Sequence, residues 1–189
     1  MMNRYFGDLH VHIGRTMSGY PVKVTAARSQ TIPGVLEEAA LRKGLNILGI
    51  VDAACPRLCS ELEGLVAEGK ARELAGGGLR YQESLTLIPG AEVETTEENG
   101  GVAHWLAYFP TLEALRSFSS FLAEHLTNPE LSTQRCPLSA RVILDEVVAR
   151  SGIFLPAHAF TPHKGVYGCC THRLTALLGE QGFSRIFAL

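Results

Sequence analysis

No run in this 189-residue chain comes near the about 20 consecutive apolar residues that cross a bilayer, so no membrane segment is expected. The first eight residues, Met1 to Asp8, hold no apolar stretch of export-signal length, which points to the cytoplasm. A charge of one sign is also lacking. The chain has 17 basic and 19 acidic residues and a formal charge of -2, so any polyanion would have to be bound locally. Cysteines number five, an odd count without the short paired spacing of zinc knuckles. Cys55 and Cys59, with the adjacent Cys169 and Cys170, therefore fit free thiols in a reducing compartment better than a four-thiolate site. The run Gly76-Gly77-Gly78 lacks the Lys-Ser/Thr of a phosphate loop and reads as a turn. What remains is an ordinary globular composition, 46% apolar and 19% charged, without repeat or linker, in a length that suits one domain over residues 1–189.

Apolar patterning places strands at residues 4–11, 45–51, 85–93, 102–109 and 152–155. Helices are expected from the Thr31 cap with Pro33 in its first turn, halted by Gly44, then at 58–73, 112–126 and 138–150, and from Leu174 onward. Residues 97–101 form a turn, and 14–30, 127–137 and 156–170 are loops. The segment 186–189 reads as the entry to a further strand. Strands that mostly alternate with helices predict a parallel α/β fold.

On a strand every second side chain shares a face, so Asp8, His10 and His12 project together and Leu9, Val11 and Ile13 face the opposite way. Asp52 closes the second strand in Gly49-Ile-Val-Asp52. Glu92, with Glu94 on the same face, closes the third, His104 follows the glycine turn, and His158 follows the short strand. Singly, each has a plainer role: Asp52 as a helix cap, Glu92 as a salt-bridge partner, His104 as a hydrogen-bonded core residue. Recurring at strand ends that meet on one face of a parallel β/α barrel, they predict a site for Zn or Mn with nitrogen and oxygen ligands, in which Glu92 can bridge two ions. Arg15, Lys23 and Arg28 in the first loop could add positive charge at its mouth. In the 156–170 loop Lys164, and beyond it Arg173, offer phosphate contacts, while Phe160 and Tyr167 offer a stacking surface. The alternatives there are solvated charge and aromatics that pin a loop.

With Asp8-Leu-His10-Val-His12, Gly49-Ile-Val-Asp52, Gly90-Ala-Glu92-Val-Glu94, His104 and Pro156-Ala-His158-Ala-Phe-Thr-Pro162, the chain resembles the polymerase and histidinol phosphatase (PHP) superfamily. The starting His-Ile-Gly-Arg, the Gly-Gly-Gly-Leu-Arg-Tyr stretch and Pro156 to Lys164 resemble the N-terminal part of the bacterial endonuclease Q family, along essentially the whole chain. The resemblance implies an incomplete, distorted parallel β/α barrel with two or three divalent ions, Zn or Mn with Mg as an alternative. By it His10, His12, Asp52, Glu92, His104 and His158 are metal ligands; Arg15, His163, Lys164 and Tyr167 are the expected substrate contacts. It implies metal-dependent cleavage of DNA on the 5′ side of deaminated bases or abasic sites in DNA repair, with a metal-activated water and no protein nucleophile. A phosphomonoesterase of the same superfamily and a non-catalytic remnant are the alternatives. Two departures stand out: Ala54 occupies a place where the family commonly has a metal-binding His, and the late Asp-x-His motif has no counterpart. A β/α barrel takes about 250 residues, so a domain truncated at its C-terminal end is expected.

Overall fold

The computed structural model describes residues 4–188. Strand β1 (Gly7–Val11) is followed by a long loop and by helix α1 (Ile32–Glu37), which a π-helical turn extends. Thr31 caps α1 through its side chain and a proline stands in its first turn, as the sequence predicts. Next come β2 (Ile47–Ile50), α2 (Pro56–Ala67), β3 (Ala71–Glu73), β4 (Leu79–Tyr81) and β5 (Leu85–Thr96). The remainder is β6 (Val102–Tyr108), α3 (Leu112–Ala123), β7 (Arg135–Cys136), α4 (Ala140–Ala149), β8 (Ile153–Pro156), α5 (Val166–Cys169) and α6 (Leu174–Phe183).

The twelve-residue β5 organises the sheet. Its first half lies parallel to β2 and antiparallel to β4; its second half lies antiparallel to β6 and parallel to β7. Beyond these pairs, β1 runs parallel to β2 and β8 antiparallel to β6. The sheet is therefore mixed, and among the described residues it does not close into a barrel. The antiparallel pairs correct the expected parallel order, and the length of one connection explains them. Five residues separate β5 from β6, whereas a parallel crossover needs a dozen or more, so the two strands form a hairpin. A second hairpin, β3–β4, occupies the end of the expected 58–73 helix, with the triple glycine as its turn; α2 stops at Ala67. Residues 186–188 add no strand.

Helices cover one face of the sheet. Trp105 of β6 and Phe154 of β8 stack there, with ring centroids 5.1 Å apart, in a core that also holds Leu115 and Phe118 of α3 and Ile143 and Leu144 of α4. Alternation along β5 and β6 sends Val93, Thr95 and Trp105 toward the helices and Glu92, Glu94 and His104 toward the opposite, open face. Gly49 permits the close approach of β1 to β2: a Cβ there would lie 2.5 Å from the Leu9 carbonyl oxygen and 2.8 Å from its Cα. The Leu9 carbonyl also accepts a 2.5 Å hydrogen bond from the Tyr108 hydroxyl, which ties β1 to β6. All five cysteines are free. No described helix is long and apolar enough to cross a membrane.

Candidate metal centre

Side chains from β1, β5 and β6 and from the segments just beyond β1, β2 and β8 meet on the open face. Antiparallel pairing sets Glu94 directly opposite His104 and places Glu92 one pleat away. The backbone N–H of Glu92 donates to the Val51 carbonyl at 2.6 Å, tying the end of β2 to the middle of β5. His10 projects from β1, and His12 follows just beyond it, after a register irregularity between Asp8 and Val11. His158 lies two residues past β8 at φ 33°, a left-handed conformation that turns its ring back over the strand ends.

Glu92 is the hub. Its Oε1 is 3.0 Å from His104 Nδ1, 3.2 Å from His10 Nε2 and 3.9 Å from His158 Nε2; its Oε2 is 3.5 Å from His12 Nε2. Two sets of ligand atoms, His10–His12–Glu92 and Glu92–His104–His158, each lie within 4.8 Å of one another. Five of the six expected metal ligands thus come together, and Glu92 belongs to both sets. The route differs from the one the sequence suggested. His104 is in mid-strand in an antiparallel neighbour, so the site is assembled by hairpin pairing as much as by parallel strand ends.

Asp52 sits one step outside. It is buried, and its Oδ2 accepts from the Ile13 backbone N–H at 2.5 Å while its Oδ1 lies 2.8 Å from His12 Nδ1 and accepts from the Ser132 hydroxyl. A carboxylate on Nδ1 fixes the tautomer that leaves Nε2 free as a ligand. Glu94 does the same for His104 from the other side: its Oε2 is 3.1 Å from Nε2, which turns Nδ1 toward Glu92. Lys164 donates to Glu94 at 2.7 Å and Arg135 at 2.9 Å. Burial alone would raise the Glu94 carboxyl, but Lys164, Arg135 and His104 hold it down at about 2. Burial is likewise outweighed at Glu92, where donors from His10, His104 and Thr133 hold the carboxyl far below the usual range. Burial and the neighbouring His104 lower the pKa of His158, which favours the neutral, ligating imidazole.

The donor set suits a divalent ion: four imidazoles and one shared carboxylate whose charge is maintained in a buried position. No cysteine joins either set among the described residues, and the Ala54 side chain is buried without a donor to offer.

Of the expected substrate contacts, Arg15 donates to the Gly19 carbonyl at 3.1 Å within its own loop. Lys164 is engaged by Glu94, His163 is exposed, and Tyr167 stacks on Phe160 with centroids 5.1 Å apart and planes 9° apart. The donors Ser132 and Thr133 were not foreseen. They come from the 127–134 loop, and only the fold brings them to Asp52 and Glu92. Lys23, foreseen only as charge near the mouth, reaches Glu92 Oε2 at 3.1 Å.

The fold is α/β and PHP-like, and the site is a candidate metal centre of four histidines and a shared glutamate. More narrowly, the chain resembles endonuclease Q. It matches the lesion-specific endonuclease PfuEndoQ of Pyrococcus furiosus at 26% identity and a TM-score of 0.73, covering 93% of this chain and 40% of that one. Endonuclease Q in complex with a 27-mer duplex bearing an abasic lesion at its active site matches with the same values. In sequence, the uncharacterized protein YqxK of Bacillus subtilis (strain 168) is 44% identical over 168 residues, 88% of this chain and 43% of that protein. The chain thus spans about two fifths of the length of these relatives. No family model matches it.

Proposed function

We propose that this chain is the metal-binding part of a phosphodiesterase of the endonuclease Q kind, which cleaves DNA 5′ to deaminated bases or abasic sites, in the cytoplasm and in the service of repair. One observation carries the reading: the Glu92 carboxylate belongs to two overlapping sets of ligand atoms, one with His10 and His12 and one with His104 and His158. A pair of divalent ions, Zn or Mn, supplies the chemistry of such a site when bound: a polarised phosphate and an acidified water. His10, His12, His104 and His158 with Glu92 would hold the ions; Asp52 and Glu94 keep two of the imidazoles in their ligating tautomers. No serine or cysteine nucleophile is needed, and the thiols of Cys55 and Cys170 are pushed up by burial, away from reactive thiolates.

The likeness to the two endonuclease Q structures supports DNA as substrate, and so does the Phe160–Tyr167 stack beside His158. Phe160 is 73% exposed, leaving an open aromatic face on which an unpaired base can stack. Arg15, His163 and Lys164 would line the approach of the phosphate backbone. The reading is tested with end-labelled duplexes containing one deoxyuridine or one abasic site, incubated with the protein and Mn²⁺, Zn²⁺ or Mg²⁺. A single nick 5′ to the lesion is expected, absent with EDTA and absent from undamaged duplex. Hydrolysis of a phosphomonoester without nicking would overturn it in favour of a phosphatase, and neither activity in a metal-loaded chain would mark a non-catalytic remnant.

A further inference from the structure

The two oxygens of Glu92 have different company. Oε1 faces imidazole nitrogens alone, those of His104, His10 and His158. Oε2 shares His12 with two other donors: the Lys23 ammonium at 3.1 Å and the Thr133 hydroxyl at 2.7 Å. Lys23 also donates to Thr133 Oγ1 at 2.5 Å, so ammonium, hydroxyl and carboxylate form a closed triangle.

The fold sets this triangle in place. The Lys23 N–H donates to the Ile13 carbonyl at 3.0 Å, one residue from His12, and its own carbonyl accepts from Ala26 at 3.0 Å. Val22 beside it is buried, and its carbonyl accepts from the Ser132 N–H at 3.1 Å, lacing the first loop to the loop that carries Thr133. Thr133 itself has φ 54°, a left-handed conformation that is unfavourable for a β-branched residue and persists only where surrounding contacts impose it. The Lys23 side chain is 20% exposed, so its charge is partly withdrawn from water and directed at one oxygen.

We propose that Lys23 is an internal cation of the centre, competing with a divalent ion for Oε2 of Glu92, so that the two metal positions load in order. The inference rests on the two-ion reading of the site. The first ion would bind against Oε1 with His104 and His158, an oxygen that no lysine or arginine contacts. The second, on the His12 side, must take Oε2 from the ammonium and bind in the field of that displaced charge. With no ion on that side, the ammonium supplies a positive charge to the buried carboxylate beside the Thr133 hydroxyl. With one, the repulsion between the two cations weakens the second step.

The test is calorimetric titration of the metal-free protein with MnCl₂, for wild type, Lys23→Met and Lys23→Arg. Wild type is expected to bind in two resolved steps. Lys23→Met should tighten the second step by at least about tenfold and narrow the gap, while Lys23→Arg, which keeps the charge, preserves the gap. Should Lys23→Met fold poorly, Lys23→Gln serves in its place, with the Mn²⁺-dependent rise in Tm as a second readout. A second step unchanged or weakened in the charge-removing variant overturns the competition while leaving the two-ion reading intact. Fewer than two ions on wild type at saturating Mn²⁺ overturns the two-ion reading, and this proposal with it.

Discussion

Asp52→Asn separates orientation from ligation most cleanly. The substitution keeps the shape of a buried side chain whose oxygens serve the Ile13 N–H, His12 Nδ1 and Ser132. An asparagine has one oxygen and one NH₂, so whichever way it is placed, either Ile13 or His12 faces a donor instead of an acceptor. If Ile13 N–H is orphaned, it is orphaned in a fully buried position, at a cost of about 1–3 kcal/mol. If His12 yields, it moves its proton to Nε2 and withdraws the nitrogen that faces Glu92. Loss of such an orienting carboxylate typically lowers metal affinity about 10- to 100-fold. Urea denaturation of the metal-free protein and Zn²⁺ competition against a chromophoric chelator read the two effects separately. Reduced affinity with at most a modest loss of stability is the expected result. Wild-type affinity in a folded Asp52→Asn protein would refute the orienting role.

Gly49→Ala should destabilise the fold by about 1–3 kcal/mol and weaken metal binding, because the new methyl group meets the Leu9 backbone and lifts β1 with its histidines; urea melts and metal titration report both. Glu94 has a pKa held down at about 2, so its contribution to stability is complete above about 4.3, the ordinary glutamate pKa, and is lost as pH falls through 2. In metal-free protein the gap in urea midpoint between wild type and Glu94→Gln should therefore be full at neutral pH and shrink across that acid window; a gap independent of pH would contradict the assignment. Phe160→Ala should weaken binding of an abasic-site duplex by about 1–3 kcal/mol, with metal content unchanged, measured by fluorescence anisotropy in EDTA-free buffer.

His10, His12, Glu92, His104 and His158 were legible in the sequence because such residues recur together in or just beyond strands, and the fold brings all five together. Asp52 was legible as a member of the site, whereas its contact with His12 Nδ1 depends on which imidazole nitrogen it meets, and only the fold decides that. Lys23 was legible only as charge near the mouth, and Ser132 and Thr133 left no trace. They are common loop residues, and their contacts to Glu92 and Asp52 span 41 to 80 positions of sequence. The antiparallel β5–β6 pairing was open to reading, because the turn at Asn99-Gly100 is too short for a crossover. The β3–β4 hairpin was not: Ala71–Glu73 is three residues long and continues the apolar spacing of α2.

The central claim is that Glu92 is shared by two metal positions, and metal content tests it most directly. Wild-type protein, saturated with Mn²⁺ or Zn²⁺ and freed of excess ion by gel filtration, should carry two ions per chain by elemental analysis. Glu92→Gln, folded as judged by circular dichroism, should carry fewer than one. Two ions retained by that variant would contradict the account.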